Sequence, residues 1–267
     1  MQIAKVSFTG SAQAGRLVQI AAAKSNLKRV TLELGGKSPS IIFNDAHIEN
    51  AVAMNSQGFL LNSGQICAAG SRVFVQEDIA PAFIEKLRNA FVNLSDVMAD
   101  PALESTFLGP LADKKQFDHV MSFLEDAKKE KIEVIAGGTR KGDKGSFVEP
   151  TILLNPNAKS RVYTDEIFGP VLSVKTFKTE GEVLKMANDT IYGLSGKSPF
   201  CCLTTTKTQA NSQQRRSTRT TSHVPSASPR NSKAAPSLST QVTPPCRKPR
   251  SAASNRAGMD GSWVWMA

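Results

Sequence analysis

Lys5-Val6-Ser7-Phe8-Thr9-Gly10-Ser11-Ala12-Gln13-Ala14-Gly15 decides the fold class. Lys5–Thr9 has the composition of a short strand, Gly10-Ser11 makes a turn, and Gln13–Lys24 continues as a helix. A second strand, Arg29–Leu34, follows and ends at Gly35-Gly36. Strand, helix and strand within about thirty residues is the signature of an α/β unit with a parallel pair.

The alternation persists downstream. Ser40–Phe43 and Arg72–Gln76 read as strands, and Ile48–Leu61 as a largely buried helix. Ile79, Phe83, Leu87, Phe91 and Leu94 fall on one helical stripe, as do Phe117, Val120, Met121 and Leu124. Ile132–Ile135 and Val171–Phe177 are strand-like. Thr179 with Glu182 fits a capping box that opens a helix through Met186.

Charge divides the 267 residues at about Gly196. From Lys197 onward there are 11 Lys/Arg and one acid, which leaves 22 basic and 22 acidic residues in 1–196. The formal net charge of +10 therefore sits in the tail, and the neutral body offers no nucleic-acid footprint. The body has one cysteine, Cys67, which cannot staple its own fold, so it reads as intracellular and reduced. No apolar stretch approaches the ~20 residues that span a bilayer, and no secretory signal precedes the first strand.

Beyond Leu203 the only Leu, Ile, Phe or Tyr is Leu238, and 21 of the residues Ser198–Ala267 are Ser or Thr. Such a segment buries too little apolar surface to offset its ordering entropy, so disorder is predicted for 197–267. The switch at Gly196-Lys197-Ser198 reads as a splicing or gene-model junction. The competing reading is a basic arm for RNA or anionic lipid, using Arg215, Arg216, Arg219, Arg247, Lys248 and Arg250 without interleaved aromatics.

Three clusters can carry chemistry. Around Gly10, Ser11 and Gly15, glycines admit close backbone approach, and the first amides of a helix favour an anion such as pyrophosphate. An ordinary turn with an N-cap serine has the same letters. In Leu32-Glu33-Leu34-Gly35-Gly36-Lys37, a glutamate between leucines is expected to be partly buried, which would raise its pKa toward that of a general base. The other reading places Glu33 on the solvent face of an edge strand, paired with Lys37. In Asn62-Ser63-Gly64-Gln65-Ile66-Cys67-Ala68-Ala69-Gly70, small neighbours leave room for a substrate beside a thiolate nucleophile. Cys67 as a small buried hydrophobe is the alternative.

Taken in order, these motifs resemble the aldehyde dehydrogenase superfamily. Phe8-Thr9-Gly10-Ser11 is similar to its cofactor turn, Leu32-Glu33-Leu34-Gly35-Gly36 to its glutamate signature, and Gly64-Gln65-Ile66-Cys67 to its cysteine signature. The 34-residue spacing from Glu33 to Cys67 fits, and Glu166-Ile167-Phe168-Gly169-Pro170 is a fourth match. The resemblance runs through Tyr192-Gly193-Leu194 and covers about Lys5–Gly196.

The resemblance implies an α/β fold in three parts: a remnant of a dinucleotide-binding domain over 1–34, most of a catalytic domain with a parallel-rich sheet over 35–196, and the tail over 197–267. It implies oxidation of a small-molecule aldehyde to an acid with NAD, or NADP, as acceptor. Cys67 is then the nucleophile and Glu33 the base. Gly10, Ser11, Gly15, Leu34, Glu166 and Phe168 contact the cofactor, with Glu166 on the nicotinamide ribose and Phe168 near the ring. No metal is implied. The family's upstream lysine region and its oxyanion-hole asparagine have no match here. Its last strands, including the one used in homo-oligomers, should follow Leu194, where the tail stands. The expected compartment is the cytoplasm, with mitochondria as the other. Two further readings stay open: a non-catalytic fragment or interaction protein that keeps the motifs, and a semialdehyde dehydrogenase that passes its acyl group to coenzyme A.

Overall fold

Strand β1 (Lys5–Gly10), helix α1 (Ala12–Ser25) and strand β2 (Arg29–Leu34) form the first unit of chain in the structure, a computed structural model that describes residues 3–195. The expected disorder of 197–267 lies outside the described residues. β1 and β2 pair in parallel, with Lys5 opposite Arg29, Thr9 opposite Glu33 and Gly10 opposite Leu34. Their side chains alternate between faces with the period of two that a strand imposes. Val6, Phe8, Val30, Leu32 and Leu34 lie half-buried on one face, while Lys5, Ser7, Thr9, Arg29, Thr31 and Glu33 are exposed on the other.

Helix α1 begins where the sequence places it. Ser11 is extended, and its Oγ accepts from the Ala14 amide at 3.2 Å, an N-cap that satisfies one otherwise unpaired donor. Gly15 and Ala22 are its buried residues. A β-carbon on Gly15 would lie 2.7 Å from Cδ2 of Leu34, so the glycine lets the helix sit directly on the end of β2. Leu17 and Ile20, by contrast, are exposed on α1. The unit thus shows apolar surface to solvent on its helix and at Ile3 and Leu27 outside it, and the open face of its strands is polar.

The remaining elements build a second sheet. In chain order they are β3 (Pro39–Ile42), α2 (Ile48–Asn55), α3 (Gln57–Leu60), β4 (Arg72–Gln76), α4 (Ala80–Asp96), α5 (Lys114–Lys129), β5 (Glu133–Ala136), β6 (Thr151–Leu154), α6 (Arg161–Thr164), β7 (Val171–Phe177) and α7 (Glu180–Asn188). The strands order as β3-β4-β7-β6-β5. All neighbours are parallel except β5 and β6. The central strands β4 and β7 are buried along most of their length, as a sheet covered on both faces requires.

Alternate residues feed different cores. Val73 and Val75 of β4 join Leu172 and Val174 of β7 against Phe83, Leu87 and Phe91 of α4. Phe74 points the other way, to Tyr163, Phe177 and Val183. A third cluster seats Val120, Phe123 and Leu124 of α5 on Leu153, Val162 and Val171. Each fully buried Phe or Leu here contributes about 1.5–3 kcal/mol relative to exposure. The stripe read from Ile79 to Leu94 faces the core as expected, although α4 itself starts at Ala80, behind a short 3₁₀ turn.

The segment Ile48–Leu61 departs from the single helix expected. It breaks at Ser56 (φ −104°, ψ −82°) into α2 and α3, and then a 3₁₀ turn over Leu61–Gly64. Asn55 Nδ2 donates to the Ala51 carbonyl at 2.8 Å, and Ser56 Oγ donates to that of Val52 at 2.7 Å. Side chains that bond the carbonyl four residues back compete with the helix ladder and bend it. Two elements were not read from the sequence, β6 and α6; four residues each are too few to show a period. The Thr179 cap of α7 is present, and the Glu182 carboxylate accepts from the Lys178 amide at 2.8 Å.

Candidate active site

Glycine geometry brings three of the sequence motifs together at the end of β2. The Gly36 N–H donates to Oε1 of Glu166 at 3.1 Å across 130 residues of sequence. A β-carbon on Gly35 would overlap Oε2 of the same carboxylate and lie 2.6 Å from its Cδ. A β-carbon on Gly36 would overlap the backbone carbonyl oxygen of Cys67 and stand 3.5 Å from Cβ of Leu194. The turn directly after Glu33 therefore touches the Glu166 carboxylate, the Cys67 backbone and the segment around Tyr192-Gly193-Leu194. Only residues without a side chain permit that approach.

Cys67 is exposed, on a stretch outside regular secondary structure. Its reading as a small buried hydrophobe is excluded. The preceding residues hold an unusual backbone: Asn62, Ser63 and Gly64 have φ of 53°, 55° and 72°. Left-handed backbone at two consecutive non-glycine residues, Asn62 and Ser63, costs strain that surrounding bonds must offset. Ser63 Oγ donates to the Gly109 carbonyl at 2.8 Å. The Gln65 side chain donates to the Asn62 carbonyl at 2.9 Å and accepts from the Ala112 amide at 3.0 Å. At Gly64 a β-carbon would lie 2.7 Å from the carbonyl carbon of Gly169, so the cysteine loop is seated against the loop that carries Glu166 and Phe168.

Glu33 corrects one expectation. It is exposed on the polar face of the small sheet, opposite Thr9, and not partly buried between its leucines. The strand alternates, so Leu32 and Leu34 turn toward α1 while Glu33 turns away. Nor does Glu33 pair with Lys37, whose Nζ donates instead to the Val162 carbonyl at 2.9 Å.

Glu166 is the half-buried carboxylate. Burial pushes its pKa up, while the Gly36 amide and the Lys37 ammonium pull it back. Its own backbone N–H donates to the Tyr192 hydroxyl at 3.4 Å. Two residues on, Phe168 has φ 55° and an exposed ring. Gln116 on α5 fixes that strained residue: its Nε2 donates to the carbonyls of Ile167 (3.1 Å) and Phe168 (2.8 Å). Gln116, Lys37 and Arg72 were missed by sequence reasoning, which treats polar side chains on helix and strand ends as solvated. At the same end of the unit, where Gly10 pairs with Leu34, α1 has no acidic residue in its first turn, and its first amides favour an anion.

An α/β scaffold with these ordered motifs converging on one turn defines a class, and comparison with known proteins identifies it. The profile of the Aldehyde dehydrogenase family matches residues 1–217, and the chain belongs to that family. An aldehyde dehydrogenase of Alternaria alternata is 44% identical over 211 residues, which cover 79% of this chain and 42% of that protein. Cytosolic aldehyde dehydrogenase 1 of Mus musculus is 45% identical over 195 residues, 73% of this chain and 38% of the relative. The solved NAD+ complex of an aldehyde dehydrogenase from Bacillus cereus superposes with a TM-score of 0.73 at 39% identity, covering 79% of this chain and 42% of that one. The chain thus spans well under half the length of the relatives it matches.

Proposed function

We propose that this chain carries the thiol and cofactor-ribose parts of an NAD-dependent aldehyde-oxidising site. The observation that carries the reading is the Gly35-Gly36 turn, which abuts the Glu166 carboxylate and the Cys67 backbone immediately after Glu33. The division at about residue 34, between a cofactor-binding part and a catalytic part, belongs to the same proposal. It is supported by the separate two-stranded and five-stranded sheets.

The residues present fit the cofactor. Gly10 and Gly15 keep side chains away from the start of α1, Ser11 caps the Ala14 amide and leaves those before it to a ligand, and the first turn of α1 has no acidic residue. Leu34 closes the apolar side of that turn. Glu166, a carboxylate oriented by the Gly36 amide, suits a ribose diol, and the exposed Phe168 ring suits a flat heterocycle. When bound, the oxidised nicotinamide supplies a hydride acceptor.

The chain's own residues do the rest. Cys67 Sγ, as thiolate, adds to the aldehyde carbonyl carbon, and the carbonyl oxygen takes up the negative charge. Oxidation leaves the carbon as a thioester on Cys67. Glu33, exposed at the end of β2, accepts a proton from water. The hydroxide attacks the thioester carbon, the C–S bond breaks, and acid and thiolate are released. Exposure suits Glu33 for this role, since the base must reach both bulk water and the thioester.

The test is aldehyde-dependent NADH formation by the purified chain, with C67A as control. A Cys67-dependent signal is expected. A folded sample that binds no NAD and forms no acyl adduct at Cys67 would overturn the reading in favour of a non-catalytic fragment. The family's cytosolic members and the small-molecule aldehydes that family names imply support a cytoplasmic enzyme acting on such substrates.

A further inference from the structure

Beneath the turn lie two buried cations that the mechanism does not use. Lys37 and Arg72 are each 1% exposed. Lys37 Nζ donates to the Val162 carbonyl on α6, four residues before Glu166. Arg72 Nε donates to the Lys37 carbonyl at 2.9 Å, and its guanidinium donates to the carbonyls of Met186 (3.2 Å) and Ala187 (2.9 Å) at the end of α7. From there the chain runs to Tyr192, whose hydroxyl accepts the Glu166 N–H, and to Leu194, which stands against Gly36. The contacts close a ring: Gly36 holds the Glu166 carboxylate, Lys37 holds the helix that leads to Glu166, and Arg72 holds Lys37 to the segment behind both.

Burying a lysine and an arginine side by side costs free energy, and an apolar residue of similar volume would avoid that cost. Arg72 recovers part of it through three hydrogen bonds and the flanking rings of Phe74 and Tyr163. Lys37 has one bond, to Val162, and the carboxylates of Asp165 and Glu166 as its favourable charges. A group kept at such cost, one residue from the amide that orients Glu166, acts on that carboxylate.

We propose that Lys37 is a positioning residue for Glu166, and through it for the nicotinamide ribose. Its ammonium anchors α6 through Val162, while the adjacent Gly36 amide sets the carboxylate. This rests on the proposed role of Glu166 in holding the cofactor. The groups facing Lys37 are Arg72 from β4 and Asp165 and Glu166 from the segment after α6. Burial and Arg72 lower its pKa to about 7, so it loses its proton near neutrality, and the pull on Glu166 weakens there. Burial and Arg161 push the His119 imidazole on α5 below its ordinary range.

The experiment is NAD binding by calorimetry across pH, in the wild-type chain and in K37M and K37Q. A parallel assay follows NAD-independent hydrolysis of p-nitrophenyl acetate at Cys67. Wild-type affinity is expected to fall as pH rises through about 7. K37M and K37Q are expected to bind NAD about tenfold more weakly with a flat profile, while ester hydrolysis stays within about threefold. Equal NAD affinity in the variants, or a parallel loss of both activities, overturns the proposal. If the wild-type chain binds no NAD, the proposed function fails on its own. Amide hydrogen exchange over residues 161–170 then decides the positioning role: faster exchange in K37Q or K37M upholds it, and unchanged exchange overturns it. The wild-type pH dependence of that exchange, corrected for intrinsic rate, gives the same answer where a variant does not fold.

Discussion

Gly35 and Glu166 occupy the same space to within one methyl group: a β-carbon on Gly35 would overlap Oε2 of the carboxylate. The obstacle is the far end of a flexible side chain, so Gly35→Ala leaves the fold intact and moves the carboxylate. The expected result is a melting temperature within about 3 °C of the wild type, consistent with a change below about 1 kcal/mol, and an NAD affinity about tenfold weaker. Calorimetry with thermal unfolding checks both; unchanged affinity would dissociate Glu166 from the cofactor.

Gly36→Ala meets a different obstacle. The added methyl falls on the backbone carbonyl of Cys67, which cannot rotate away. Displacing main chain costs about 1–3 kcal/mol, and the shift moves Cys67 with it. Urea unfolding should show the lost stability, and the rate of Cys67 alkylation by iodoacetamide should change. A variant as stable and as reactive as the wild type would mean that the turn and the cysteine loop are free to separate.

Lys37 makes stability depend on pH in an alkaline window. Its pKa is about 7 in the folded chain and near 10.5 when unfolded, so between these values the unfolded state binds the extra proton. Folding stability therefore rises as pH increases from about 7 toward 10.5 and is lowest below 7, where the buried amine is charged. K37M should remove this slope and raise stability at pH 6, since an apolar side chain replaces a buried charge. Thermal unfolding of both proteins from pH 6 to 10 is the check, and parallel curves would place the buried charge elsewhere.

Gln116 bridges two carbonyls that flank a left-handed residue. Gln116→Ala leaves the Ile167 and Phe168 carbonyls without that donor, a loss of about 1–3 kcal/mol if water cannot replace it. The Phe168 loop should then exchange its amides faster, with β7 unaffected. Equal protection in both segments would sink the idea that Gln116 restrains the loop.

Much of this was legible in the letters. β-branched and aromatic runs placed β1, β2, β4 and β7 to within a residue, and the Phe83-Leu87-Phe91 stripe found its core. Gly10, Glu33 and Cys67 stood out as candidates by their neighbours, and Glu166 by its place in the motif order. What stayed hidden depends on distance in space. Nothing local marks Lys37 as buried, because its concealment is made by α6 and β4, far away in sequence. The face of Glu33 stayed open in the letters: flanking leucines suggest burial, whereas strand parity puts a residue on the face opposite its neighbours, and the solvent-face reading holds without its Lys37 partner. The break at Ser56 needed two side chains to act together on the carbonyls of Ala51 and Val52.

The seat of Gly15 on Leu34 has a mechanical consequence. Leu34 is the residue next to Glu33, and its side chain is gripped by the helix whose first turn faces the expected phosphates. Sliding β2 by one position would swap Leu34 for Glu33 beneath α1, forcing a carboxylate into an apolar seat. The two-stranded pairing is short, but it is keyed like a lock with one permitted setting. Whatever aligns the anion end of the unit also determines the side on which the acid side chain emerges, so the two cannot drift out of phase.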